Sequence, residues 1–200
     1  MVASGQLAKL SKGRYYQPEK TPFGELQPSQ SQVVKDLLER DGKIIGYLTG
    51  LSRYPELGLS TQVSNTIQIG KNDLRSSFKR GQYTIEFIKQ KNTITADNIP
   101  LLRLLDALRL IKKIPDTSEE AICRRMIEII GDLSDKDLKK MVRLALKYPP
   151  ATRAILGALL SNLGKSSDTT TLKKSLNPLT IYTFPGISAT LPQAQEWNIL

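Results

Sequence analysis

The apolar residues of this 200-residue chain change period once, and that change constrains the fold more than any other feature. Ahead of residue 90 they alternate with polar ones: Val63, Ile67 and Ile69 in one run, then Tyr83, Ile85 and Phe87 around Thr84 and Glu86. A two-residue period belongs to strands with one buried face. From residue 99 onward, Leu101, Leu104, Leu105, Leu108 and Ile111 recur three and four apart, the apolar stripe of a helix. Strands followed by helices, rather than alternating with them, define an α/β chain of the segregated, α+β kind. The expected architecture is a small β-sheet with a helical C-terminal half around it.

Residues 42–70 form the hub of that sheet. They hold a short apolar strand at Lys43-Ile44-Ile45, a Gly-rich passage through Gly46 and Gly50 into a helical segment, a Leu-Gly-Leu stop, and the strand that ends at Ile69. A helix precedes it, capped by Ser29 or Ser31, striped by Val33, Val34, Leu37 and Leu38, and ended by Gly42. The strands at 63–69 and 83–89 are expected to pair. The connector between them, Lys71 to Arg80, then projects as a basic segment at one edge of the sheet.

In the helical half, Pro115, Gly131 and Pro149-Pro150 are the stops. Thr117 with Glu120 fits a capping box, and Ser134 caps the next helix. Residues 151–163 are apolar on nearly every face, which predicts a central buried helix, and Trp197 anchors the tail on the body. Residues 166–171 read as a polar loop. At the other end, residues 5–17 read as a β-hairpin turning at Ser11-Lys12-Gly13. Pro18, Pro22 and Pro28 make the following stretch an extended connector. The chain therefore divides into an N-terminal appendage, 1–22, and a main domain, 23–200.

Histidine is absent, which removes Ser-His-Asp and Cys-His catalysis and imidazole metal ligation together. Cys123 is the sole cysteine, so neither an internal disulfide nor a Cys-based zinc site is available, and its place beside Ile122 and Met126 makes it a core residue. No GxxxxGK[ST] or GxGxxG loop is present. The acids Asp73, Glu86 and Asp106 are scattered, with no pair at metal-ligand spacing. The expectation is a non-enzymatic protein without cofactor. Its net charge of +10, from 29 Lys and Arg against 19 Asp and Glu, favours polyanionic partners, either nucleic acid or an acidic protein. No apolar run approaches the roughly 18 residues that span a bilayer, and no secretory h-region opens the chain, so a cytoplasmic location is expected.

Six segments, in order, carry a family resemblance: GQLAKLSKGRYYQPEKTPFGEL, DGKIIGYLTGLSRYPELGLSTQVSNTIQIG, FIKQKNTIT, LLRLLDALRLIKKIPDT, LALKYPPATRAILGALL and LKKSLNPLTIY. Together they resemble the AbiEi-like family, the antitoxin and transcriptional-regulator component of bacterial type IV toxin–antitoxin systems. The resemblance implies a winged helix-turn-helix followed by an α/β antitoxin domain, repression of its own operon by DNA binding, and a nucleotidyltransferase-like toxin as functional partner. It makes the N-terminal hairpin the wing. Family members open with three helices, the third of which enters the major groove. Here Met1 falls just ahead of the hairpin, so the expected DNA contacts are to phosphates, from Lys9, Lys12 and Arg14 on the hairpin and from Lys71, Arg75, Lys79 and Arg80 on the basic connector. The alternative is a protein-interaction module that binds an acidic partner through the same 71–91 face.

Overall fold

Asp41 and Gly42 both have positive φ, +50° and +70°, and this turn redirects the first part of the chain. The structure, a computed structural model, describes residues 8–11, 13–16, 20–22, 24–25, 28–165 and 169–200. Strands β1 (Ala8–Ser11) and β2 (Arg14–Tyr16) form the expected hairpin, while Lys12 lies outside the described residues. Strands β3 (Lys20–Thr21) and β4 (Gly24–Glu25) pair Thr21 with Gly24, a two-residue ladder lying across the 22/23 division. Ser29 then opens α1 (Gln30–Val33) with a reciprocal capping box: its hydroxyl accepts from Gln32 N, and Gln32 Oε1 accepts from Ser29 N at 2.8 Å.

The single helix expected up to Gly42 does not form. It breaks at Val34, resumes as α2 (Lys35–Leu38), and gives way to the hairpin β5 (Glu39–Arg40) and β6 (Lys43–Ile44). The reason is local. An Asp-Gly pair with both φ positive closes a two-residue hairpin, and the adjacent β-branched Val33 and Val34 weaken the helix before it.

The main sheet has four strands in the order β7-β8-β10-β9: β7 (Gly46–Thr49), β8 (Thr66–Lys71), β9 (Phe78–Arg80) and β10 (Tyr83–Lys89). The expected pairing of the two alternating segments is present and parallel, with Ile67 beside Ile85 and Lys71 beside Lys89. The chain passes from β8 to the outer edge, forms β9, and returns as β10 antiparallel to it. Val63 is 90% exposed and precedes the strand it was assigned to. One face of the sheet, with Leu48, Ile67, Ile69 and Ile85, packs on Val33, Val34 and Leu37.

The other face meets the helical half. It comprises α3 (Ile99–Arg109), α4 (Glu119–Gly131), α5 (Asp135–Ala145), α6 (Pro150–Asn162) and α7 (Thr170–Lys174). Ser134 caps α5 as expected, whereas α4 is capped by Ser118, whose hydroxyl accepts from Ala121 N, rather than by Thr117. Helix α6 is the buried one, with Ile155, Leu156, Leu159 and Leu160 inside the core. Gly157 lies against the indole of Trp197, where a Cβ would overlap the ring, and Trp197 Nε1 donates to Ser161 Oγ at 3.1 Å. The tail is thus anchored as its sequence suggests. Cys123 is buried in this core, which pushes its thiol up to about 12. In the 166–171 stretch, residues 166–168 lie outside the described residues and Thr170 opens α7. Among the described residues no helix is long and apolar enough to cross a membrane.

Candidate functional site

Of the basic connector, Arg75 and Lys79 are exposed, while Lys71 and Arg80 are largely buried. Lys71 ends β8 with its side chain largely buried, and its ammonium is held below its ordinary pKa, first by burial and then by the nearby cations Arg75 and Arg40. Asp73 and Asp36 act in the opposite sense without cancelling the effect. Lys79 projects into solvent from the edge strand β9.

Arg80 requires a correction. Its guanidinium is buried, donating to Val33 O at 2.7 Å and to both carboxylate oxygens of Asp36 at 2.7 and 3.3 Å. It pins α1 and α2 to the sheet edge and is not presented to a partner. Lys9 and Arg14 lie on the paired strands β1 and β2. Gly13 and Tyr15 line a shallow groove with Lys35, Asp36, Glu39 and Asp41.

A second constellation was not anticipated. Asp106, in the middle of α3, is fully buried and accepts three hydroxyl hydrogen bonds: from Tyr47 at 2.7 Å, Thr49 at 2.8 Å and Tyr148 at 2.8 Å. Gln90 Nε2 donates to both tyrosine oxygens at 2.8 Å, and Gln90 Oε1 accepts from the backbone and side-chain nitrogens of Asn92. Elements 100 residues apart in sequence are thereby tied to one carboxylate. Burial drives the Asp106 pKa upward, opposed by the hydroxyl donors and by Arg109. Burial likewise raises both tyrosines far above their ordinary range. Gly70 makes room for this arrangement, because a Cβ there would collide with the Tyr47 ring.

Gln90 and Tyr148 also form the floor of an open cleft of about 430 Å³. Lys89, Lys91, Arg109, Lys147 and Arg153 line it, together with Leu146, Pro149 and Pro150. No carboxylate is among the lining residues. Of the acids weighed for catalysis, Asp73 is exposed, Glu86 accepts from Gln68 Nε2 at 3.0 Å, and Asp106 is sealed in its network. Among the described residues no three Asp, Glu, His or Cys side chains gather as metal ligands. The Lys89-Gln90-Lys91 run was legible as positive charge. Lys147 and Arg153 had no local signal joining them to it.

Fold and charge distribution together define an α+β protein with a mixed four-stranded sheet, a helical layer, and basic surface at the carboxyl ends of its parallel strands. The chain belongs to DUF6088, a family of unknown function, which matches residues 1–138. That match covers the sheet and α3 but stops before Lys147 and Arg153. No curated protein and no solved structure matches the chain.

Proposed function

We propose that this protein is a DNA-contacting regulator of the AbiEi-like kind, an antitoxin and transcriptional repressor in a type IV toxin–antitoxin operon. The family part of the reading rests on the resemblance of the six sequence segments. The DNA-contacting part rests on one structural observation: Arg40 and Arg75 are exposed around the end of β8, where the largely buried Lys71 lies close to both. Cations crowded in this way repel one another, and a phosphate backbone laid across them relieves that repulsion. Lys79 is a further exposed cation, on the edge strand β9. On this reading the protein binds rather than catalyses, works in the cytoplasm beside its operon, and counters a nucleotidyltransferase-like toxin.

A mobility-shift titration on the upstream promoter fragment over a salt series tests the DNA contact. Each neutralised phosphate lowers the logarithm of affinity by about 0.9 per unit of log salt. Arg75→Glu with Lys79→Glu should therefore reduce both affinity and salt slope. Affinity that does not fall with salt excludes the contact. Co-expression with the adjacent reading frame tests the antitoxin part, which fails if toxicity persists.

A further inference from the structure

The cleft above the Asp106 network is built differently from the basic edge. It is concave, and it lies just past the carboxyl end of β10. Its volume of about 430 Å³ falls within the range of small-molecule sites, roughly 300–1,000 Å³.

Its cations are held in place. Arg109 donates one guanidinium nitrogen to Lys89 O at 2.9 Å, and Arg153 donates one to Ser175 O at 2.9 Å. Each guanidinium keeps further donors in a fixed fork suited to phosphate oxygens. The side chains of Lys91 and Lys147 are exposed and make no hydrogen bond or ion pair among the described residues. Helix α6 starts at the cleft wall with Pro149 and Pro150 and no side-chain cap, adding the positive end of a thirteen-residue helix. Five positive side chains with no lining carboxylate call for a ligand carrying several negative charges. The apolar rim of Leu146, Pro149 and Pro150 calls for a flat apolar group beside them.

We infer that this cleft binds a nucleoside polyphosphate, its phosphates among Arg109, Arg153 and the three lysines and its base against the apolar rim. The site adjoins the Arg40–Lys71–Arg75 patch, Lys89 lying beside Lys71 on the neighbouring strand, but it is lined by other side chains and does not depend on the DNA reading.

Calorimetric titration of the full chain with ATP, ADP, AMP and inorganic pyrophosphate tests it. One-to-one binding is expected, weakening from ATP to AMP, with pyrophosphate weaker than ADP. Lys91→Glu with Lys147→Glu should weaken ATP by about tenfold or more. Lys136→Glu with Lys139→Glu, the same charge change on the exposed side of α5, should leave it unchanged, and thermal melts should show all variants folded. Equal losses in the two pairs would reduce the effect to net charge and overturn the site. Pyrophosphate binding as tightly as ATP would overturn the nucleotide assignment, and no ATP binding at all would overturn both. Promoter binding by the Lys91/Lys147 variant is expected to persist, so failure of either reading shows separately.

Discussion

Tyr148→Phe removes a single oxygen from the sealed network and leaves the ring that fills the core. That oxygen donates to Asp106 Oδ1 and accepts from Gln90 Nε2, both at 2.8 Å. The substitution therefore deletes one hydrogen bond to the carboxyl group and strands one amide hydrogen of Gln90. A bond to a charged acceptor contributes about 1.5–3 kcal/mol and a bond to a neutral one about 0.5–1.5, while a stranded buried donor costs about 1–3 kcal/mol. The middle of those ranges gives a loss of about 3–4 kcal/mol whichever protonation state Asp106 holds. The ring shape is conserved, so no cavity contributes. Urea unfolding at neutral pH, with a slope of about 2 kcal/mol/M, should show the midpoint falling by about 1.5–2 M with the slope unchanged. A fall of less than about 0.3 M would refute the network as a dry, fully used set of donors and acceptors. It would mean that water already reaches Tyr148 from the cleft.

The raised pKa of Asp106 gives a pH dependence of definite sign. Between the unfolded value near 4 and the higher folded one, the folded state holds more protons. Stability contributed by this group is therefore full below that window and is lost as pH rises through it. Asp106→Asn should flatten that part of the stability–pH curve, and an unchanged curve would show that Asp106 does not titrate there. Gly157→Ala places a methyl group in the Trp197 ring and should cost about 1–3 kcal/mol, with a change in the emission of Trp197, the only tryptophan. A normal melting temperature and unaltered emission would contradict the packing. Lys79→Glu should leave the melting temperature in place, whereas Arg80→Glu should lower it sharply by setting a carboxylate against Asp36 and Val33 O. Equal melting temperatures would show that Arg80 is not the pin described.

The elements with strong periodicity were legible in the sequence, and the departures have physical causes. Asp-Gly at 41–42 was read as a helix stop, because Gly after an apolar stripe satisfies that pattern too; positive φ at both residues is what selects the hairpin. Arg80 was grouped by charge with Lys79, yet the two-residue period already separated them. Phe78 faces inward on β9, and so must Arg80, two residues on, while Lys79 faces out. Charge composition alone is blind to that alternation.

Asp106 shows where one-dimensional reading ends. A helix with a single buried stripe would leave residue 106 on the face opposite the stripe, in solvent. Helix α3 is instead enclosed on two sides, by Tyr47 and Thr49 of β7 and by Tyr148 of the segment entering α6, so that its residues 104–108 are all buried. A carboxylate inside an apolar helix is costly unless every lone pair finds a donor, and those donors come from positions 47, 49 and 148. The cleft has the same origin. Its cations sit at 89, 91, 109, 147 and 153, on segments held together by Gln90 and Tyr148 over Asp106, by Asn92 on Leu144 O and by Arg109 on Lys89 O. The buried acid is therefore one of the ties that assemble the basic walls above it. Replacing Asp106 should disturb the cleft's geometry as well as the stability of the core.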